Sequence, residues 1–216
     1  MEIGGFDKII EYGIEDLDEV FKNKNSHILI ENRLAGYGIW KPYIVLNTLE
    51  KQSDGDYVFY CDSGSYWVGP VSYLVDELDS MGGWLLTFQG YSEPLPLEKF
   101  WTKRDCFILM DCDSPKYTDT VQGYDGFFLI KNCREARDFF IQWCKYAVDE
   151  RISTDKENEC GLSNYEGFKD HRHDQSIMSL LVKKWDIKMC DLLPDQYRPV
   201  GDNRYPQLIN HTRDPK

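Results

Sequence analysis

The amino-acid sequence predicts one α/β domain built on a mixed, mainly parallel β-sheet that is flanked by helices. Short apolar segments of strand length alternate along the chain with longer segments whose apolar residues recur at helical spacing. The chain has 216 residues, which is enough for one domain with a sizeable core and short for two. We therefore expect residues 1–216 to form a single domain.

A strand-helix-strand unit in the first third of the chain predicts the parallel sheet. Ser26–Ile30 and Asp56–Cys61 are apolar runs bounded by polar or turn residues, which is typical of buried strands. Between them, Ile39–Glu50 has Pro42 in its first turn and apolar residues at helical spacing. Two strands joined through a helix usually lie parallel in one sheet.

The other elements are predicted from the same two patterns. Further strands are expected at three short apolar runs, Trp84–Gln89, Cys106–Met110 and Gly126–Ile130. Further helices are expected at Val71–Leu78, Arg134–Val148 and Asp174–Trp185. The polar segment Asp149–Lys169 predicts a surface loop, and the proline-bearing residues 192–216 predict an irregular tail.

Composition excludes several classes of protein. The formal net charge of -12 argues against a nucleic acid as main partner, because phosphate backbones are bound by clustered Lys and Arg. The apolar runs are too short for a membrane span, and the first ten residues lack the pattern of a signal sequence. Seven cysteines without CxxC spacing indicate reduced thiols, so we expect a cytoplasmic protein.

The first candidate site is the acid that follows the predicted strand Asp56–Cys61. Asp62 would stand at the carboxyl edge of an open sheet, where ligands bind in α/β folds. Its carboxylate suits Mg²⁺ or Mn²⁺, which usually bind through one or two carboxylates and substrate phosphates. Gly64 would let the backbone approach a ligand closely. The alternative interpretation is an Asp that caps the following turn.

A second pair of acids follows another predicted strand. Asp111 and Asp113 alternate, so an extended backbone would point them to opposite faces. Both would reach one ion only if the chain turns, which Ser114 and Pro115 favour. The alternative here is that both acids form Asx turns.

The third candidate is Asp170–Ser176, where two histidines, an arginine and an acid stand at a helix start. Backbone N–H groups there favour anions, and Arg172 adds a bidentate donor for phosphate. His171 and His173 as zinc ligands are the weaker interpretation, and a helix cap with surface charge is the plain one. The basic segments Thr102–Asp105 and His211–Arg213 would either neutralise a diphosphate or be solvated.

Four segments taken together resemble a known family. They are Gly36–Ser65 with the motif YVFYCDSGS, Phe100–Pro115, Gly126–Asn132 with GFFLIKN, and His171–Leu181 with HRHDQS. In order and spacing they are similar to small glycosyltransferases of polysaccharide-synthesis loci and large DNA viruses, including the chloroviruses. The similarity extends from about Phe6 to Arg213.

The resemblance implies a Rossmann-like domain of the A-type (GT-A) glycosyltransferase fold. Such a domain binds a nucleoside-diphosphate sugar, here expected to be a UDP-sugar, with Mn²⁺ or Mg²⁺, and residues 192–216 would close the donor site. The expected acceptor is a glycan, the expected location is bacterial or infected-host cytosol, and fusion to other glycan-modifying domains stays open.

The resemblance also implies roles for individual residues. Asp62 matches the first acid of the metal-binding Asp-x-Asp motif, Gly64 replaces the second acid, and His211 resembles a C-terminal metal ligand. Asp174 and Gln175 resemble a catalytic Asp-Gln pair that contacts the sugar. The other residues implied to bind the donor are Ser63, Gly64, Lys103, Arg104, Gln122, Gly126, His173 and Arg213.

We therefore expect a metal-dependent hexosyl- or deoxyhexosyltransferase. Glycosyl transfer builds negative charge on the leaving diphosphate, which a metal ion and basic side chains stabilise. One alternative is a carbohydrate- or nucleotide-sugar-binding module that has lost catalysis, which the glycine at position 64 favours. Another is a metal-dependent sugar-nucleotide hydrolase.

Overall fold

The computed structural model describes residues 3–90, 96–198 and 201–212. The helices are α1 (Glu19–Lys24), α2 (Ser26–Leu29), α3 (Leu34–Tyr37), α4 (Trp40–Leu49), α5 (Ser72–Met81), α6 (Glu98–Trp101), α7 (Arg104–Leu109), α8 (Pro115–Thr118), α9 (Arg134–Ala147), α10 (Glu150–Ser153) and α11 (His173–Lys184). The strands are β1 (Tyr57–Cys61), β2 (Ser65–Trp67), β3 (Leu85–Gln89), β4 (Gly123–Lys131) and β5 (Ile209–His211). Within these ranges no helix has the length and apolar character needed to cross a membrane.

The main sheet has the strand order β1-β4-β3, and β4 runs antiparallel to both neighbours. Because β4 is reversed between them, β1 and β3 point the same way and end at the same edge. Gly123, the first residue of β4, pairs with Gln89 at the end of β3, and Phe127 pairs with Cys61 at the end of β1. The start of β4 therefore lies along this edge.

The core lies on both faces of β4, whose side chains alternate between the two faces. Phe128 and Ile130 belong to a hydrophobic cluster with α4, α9 and α11. Phe127 and Leu129 belong to a second cluster with α5 and with apolar residues at 190–193 and 205–209. Burial on both faces explains why β4 reads as a nearly continuous apolar run.

The prediction of a mainly parallel sheet is wrong, because both pairings in the main sheet are antiparallel and two of the predicted strands are helices. Ser26–Ile30 falls largely in α2, where Ile28 is buried but Ile30 is 78% exposed. Cys106–Met110 falls in and just after α7, and its buried residues Cys106, Phe107 and Met110 have the helical spacing i, i+1, i+4. Apolar runs of five residues do not distinguish a strand from a short helix.

The other predicted strands and helices are confirmed, with ends shifted by a few residues. The expected loop Asp149–Lys169 contains the short helix α10. The tail from Leu192, predicted to be irregular, contributes to the core and contains β5, which pairs antiparallel with β2. Its buried apolar residues are Leu192, Leu193, Tyr205, Leu208 and Ile209.

Replacing Leu208 with alanine tests whether the tail is part of the core. Leu208 is fully buried beside Gly69, so Leu208→Ala should lower the free energy of unfolding by about 2–5 kcal/mol. The control is Leu162→Ala, since Leu162 is 48% exposed and should change stability little. Urea unfolding measures both variants, and equal stabilities would show that the tail does not contribute to the core.

Candidate functional site

One buried lysine holds together three acidic residues at the carboxyl edge of β1. The ammonium group of Lys41, in α4, lies 2.7 Å from Asp125 Oδ2, 2.7 Å from Asp174 Oδ2 and 3.6 Å from Asp62 Oδ1. The side chains of Lys41, Asp125 and Asp174 are each at most 7% exposed, whereas that of Asp62 is 48% exposed. We call these four residues the Lys41 cluster.

Three separate parts of the chain supply the acids of the Lys41 cluster. Asp62 directly follows β1, and its backbone N–H donates to the carbonyl oxygen of Gly126 at 2.9 Å. Asp125 lies in β4, and Asp174 lies in the first turn of α11. The reversed strand β4 thus brings an internal acid to the edge where β1 ends.

A left-handed turn carries the chain into α4 and positions its lysine. Residues 34–38, which include the short turn α3, all have φ between 49° and 90°. Gly38 packs so closely on Asp174 that a Cβ atom at this position would collide with the carboxylate. Each non-glycine residue in this conformation costs roughly 1–2 kcal/mol, and such strain persists only where the surroundings impose it.

Charge within the Lys41 cluster is unbalanced, since one ammonium group faces three carboxyl groups. Burial alone would lower the pKa of Lys41, but Asp125 and Asp174 outweigh burial and hold that pKa well above its ordinary value. Burial, and then the nearby Asp174 carboxylate, raise the pKa of Asp125 well above its ordinary value. Both directions agree if Lys41 stays charged and Asp125 is the acid that retains a proton.

Asp62 is the member of the cluster that can meet a ligand. Its Oδ1 accepts a hydrogen bond from the hydroxyl of Tyr60 at 2.8 Å and faces Lys41, while Oδ2 accepts no hydrogen bond within the described ranges. No group of three or more His, Cys, Asp or Glu side chains in those ranges could hold a metal ion. The donor set therefore fits only a cation that takes most of its ligands from phosphate and water.

The two-stranded ribbon of β2 and β5 holds His211 beside the turn between β1 and β2, residues 62–64, which we call the Asp62 turn. Its Nδ1 lies 2.7 Å from the hydroxyl of Ser65, and its Nε2 lies 3.4 Å from that of Tyr124. To ligate a metal, the imidazole would have to give up one of these contacts. A Cβ atom on Gly64 would lie 2.9 Å from the carbonyl oxygen of Thr212. The close approach of these two segments therefore leaves no room at position 64 for the second acid of an Asp-x-Asp motif.

Gln175 and Gln122 form a second polar group next to Asp174. Gln175 Nε2 donates to Gln122 Oε1 at 2.7 Å, and Gln122 is 2% exposed. Gln122 directly precedes β4, so this pair lies along the same edge of the sheet as Asp62. Two residues that the resemblance implied are therefore joined, with Gln122 packed beneath Gln175.

The other implied residues lie in different surroundings. Lys103 donates to the carbonyl oxygens of residues 154 and 156, and Arg104 pairs with Asp113 at 2.9 Å. His173 is buried, with Nδ1 2.9 Å from the carbonyl oxygen of Ser153, and burial lowers its pKa. Ser63 is exposed in the Asp62 turn, and Arg213 lies outside the described residues.

The alternative metal site at Asp111 and Asp113 is less open than Asp62. Both oxygens of Asp113 are engaged, because Arg104 contacts each of them and the hydroxyl of Tyr165 donates to Oδ1 at 2.7 Å. Asp111 is exposed in a left-handed conformation just after α7. The helix that replaces the predicted strand thus removes the sheet-edge setting on which this alternative depended.

Lys41 and Asp125 were missed by the sequence analysis. Lys41 lies in the first turn of a correctly predicted helix, and a single lysine there ordinarily faces solvent. Asp125 did carry a signal, because an acid inside the apolar run GYDGFFLI is unusual for a strand buried on both faces. Lys41 lies in the segment Gly36–Ser65, but the resemblance implied no role for it, and Asp125 lies just before the segment Gly126–Asn132.

Comparison with known proteins gives a distant structural similarity and no match in sequence. No family model matches the chain, and no curated protein matches it. The chain aligns with the crystal structure of mouse xyloside xylosyltransferase 1 in its apo form, with a TM-score of 0.46 and 11% sequence identity. The alignment covers 90% of this chain and 72% of that chain. A TM-score this low does not assign a function.

Replacing Lys41 with methionine should strongly destabilise the protein. The change leaves three carboxyl groups without their shared cation, and breaking a buried ion pair from one side costs about 3–5 kcal/mol. The loss should be larger at pH 8 than at pH 4.5, because the raised pKa of Asp125 favours its neutral form at the lower pH, and a neutral carboxyl group needs no cation. Lys131→Met is the control, since Lys131 pairs with Asp79 at 2.8 Å but on the surface. Similar melting temperatures for the two variants would contradict the central role of Lys41.

Replacing Asp125 with asparagine should reduce the fall in stability with rising pH. An acid whose pKa is raised by folding keeps its proton in the folded state where the unfolded chain has lost it. The stabilisation that Asp125 contributes is therefore lost as the pH rises from 3.8, the ordinary pKa of an aspartate, towards the raised pKa of Asp125. Melting curves from pH 4 to pH 8 should show Asp125→Asn gaining on the native protein, and a constant difference would rule out the retained proton.

Proposed function

We propose that this protein is a glycosyltransferase that binds a nucleoside-diphosphate sugar at the Lys41 cluster. The observation that carries the proposal is the contact of Lys41 with Asp62, Asp125 and Asp174 at one edge of the sheet. Two of the segments that resemble the glycosyltransferase family supply Lys41, Asp62 and Asp174. A third such segment supplies Gly126, whose carbonyl oxygen accepts the backbone N–H of Asp62. Segments far apart in sequence thus supply one site.

The charge of the edge supports a metal-assisted way of binding the diphosphate. Three acids around one lysine would repel a diphosphate, so a divalent cation between the two is the simplest means of joining them. We assign the cation to the open Oδ2 of Asp62, with the remaining ligands from the diphosphate and water. Bound there, it would stabilise the negative charge that develops on the leaving group.

The first turn of α11 supports a role in holding the sugar. Asp174 is fixed by Lys41 and Gln175 by Gln122, so both side chains are oriented before a ligand arrives. Carboxylate and amide groups suit the hydroxyls of a sugar ring, and a fixed carboxylate near the ring can stabilise its positive charge in the transition state. A UDP-hexose or UDP-deoxyhexose donor and a glycan acceptor remain our proposal for the substrates.

Replacing Asp62 with asparagine tests the assigned cation site. Asp62→Asn keeps the shape of an exposed side chain but removes the charge that attracts the ion. Calorimetry with UDP-hexoses should show that Mn²⁺ strengthens binding to the native protein, and that the variant loses most of this gain, about tenfold or more in affinity. Asp119→Asn is the matched control, since Asp119 is equally exposed at 48% and pairs with Lys99 at the surface.

The outcomes separate the proposed function from its alternatives. Donor binding with transfer to a glycan acceptor supports the transferase, and donor breakdown without acceptor supports the hydrolase. Donor binding without either reaction would favour a nucleotide-sugar-binding module. If Asp62→Asn binds donor and Mn²⁺ like the native protein, the cation site lies elsewhere, and absence of donor binding to the native protein would overturn the proposed function.

A further inference from the structure

A fully buried glutamate lies behind the glutamine pair. Among the described residues, the polar groups that contact the carboxylate of Glu98, in α6, are all hydrogen-bond donors. Its Oε1 accepts from Ser179 and from Lys183, whose ammonium group lies at 2.7 Å, and its Oε2 accepts from Thr102 at 2.9 Å and Gln122 at 3.2 Å. Glu98 is therefore an acceptor at all four contacts.

The surroundings of Gln122 determine which way its amide points. The Nε2 atom faces Glu98 Oε2, Thr102 Oγ1 and Ser176 Oγ at 3.2–3.3 Å. The hydroxyl proton of Thr102 is donated to Glu98 and that of Ser176 to the carbonyl oxygen of Trp101, so both hydroxyls offer only lone pairs to Gln122. All three neighbours are acceptors, which fixes the NH₂ group on this side and the carbonyl oxygen on the other.

The orientation of Gln122 fixes that of Gln175 in turn. Because Gln122 presents its carbonyl oxygen, Gln175 must direct its NH₂ group towards it, and the two atoms are 2.7 Å apart. The carbonyl oxygen of Gln175 then points away from the pair. Within the described ranges that oxygen accepts no hydrogen bond. It is not fully buried, although Gln175 as a whole is only 8% exposed, so it is available to a ligand.

We propose that Glu98 is a positioning residue that acts through Gln122 to make Gln175 present a hydrogen-bond acceptor to the bound ligand. The alternating donors and acceptors transmit this orientation from the core to the edge of the sheet. The group that Gln175 recognises is therefore a hydrogen-bond donor. The next step rests on the proposed function: the hydrogen-bond donor is then a hydroxyl group of the bound sugar.

Replacing Glu98 with glutamine should reverse the orientation of both amides. Lys183 can only donate, so the carbonyl oxygen of the new side chain must face Lys183 and its NH₂ group must face Gln122. The hydroxyls of Thr102 and Ser176 can rotate to donate instead of accept, so Gln122 would then turn its carbonyl oxygen towards that group and these hydroxyls, and its NH₂ group towards Gln175. Gln175 would present a donor instead of an acceptor, and we expect donor-sugar affinity to fall about tenfold.

A second substitution should restore the original pattern. In Gln175→Glu alone, a carboxylate faces the carbonyl oxygen of Gln122, and both stability and ligand binding should fall. In the double variant Glu98→Gln/Gln175→Glu, the reversed Gln122 donates to the new carboxylate, which again presents an acceptor to the ligand. The double variant should therefore melt at least about 3 °C higher than the summed effects of the single changes predict.

The control is Ser179→Ala combined with the same Gln175→Glu change. Ser179 donates to the Oε1 atom of Glu98 and accepts from the backbone N–H of Gly123 at 2.6 Å, so its loss perturbs the same buried carboxylate and the start of β4 without altering what Gln122 meets at Oε2. In this pair the two effects on the melting temperature should add. Additive effects in the Glu98→Gln/Gln175→Glu pair as well would overturn the proposal.

Melting and binding measurements distinguish this proposal from the proposed function. Rescue of the melting temperature without UDP-hexose binding in any variant would support the positioning role and overturn the transferase site. Rescue of both the melting temperature and UDP-hexose affinity, measured by calorimetry with Mn²⁺, would support both. UDP-hexose binding without rescue of either property would overturn the role of Glu98 alone.

Discussion

The charge on Lys41 is the constraint on which the rest of the site depends. A buried ammonium group is stable only with acidic partners, and those carboxyl groups come from β4, from the end of β1 and from the start of α11. These three elements consequently share one fixed arrangement at the sheet edge. The reversed direction of β4 makes this possible, because it places the early residues of that strand where its neighbours end.

Two polar systems of different character meet at the start of α11. Asp174 belongs to the Lys41 cluster. The adjacent Gln175 belongs to a chain of two hydrogen-bonded amides, Gln175 and Gln122, that ends on the Glu98 carboxylate. Successive residues of a helix point about 100° apart, so the two side chains reach separate partners. The charged system sets the electrostatic potential of the edge, whereas the amide system sets the polarity of one hydrogen-bonding group. The charge and the hydrogen-bonding pattern of this edge are thus both fixed from the interior.

Local patterns in the sequence were sufficient for the long helices and for the strands of the main sheet. They failed at Ser26–Ile30 and Cys106–Met110, where five apolar residues fit either structure and only tertiary packing decides. Asp62 and Asp174 could be predicted as site candidates, because each follows or opens a recognisable element. Lys41 could not, since its burial depends on partners supplied by distant parts of the chain.

The composition of the Lys41 cluster has a consequence for the order of folding. Lys41 and Asp125 are separated by 84 residues, and Asp174 lies still farther along the chain. Contacts at such separation require closure of long loops, so they form after local helices and turns. The strained turn before α4 gains its compensating contacts only when α11 has docked on Gly38. A nascent or partly unfolded chain therefore has no assembled site, and ligand-binding competence would report that the whole domain has folded.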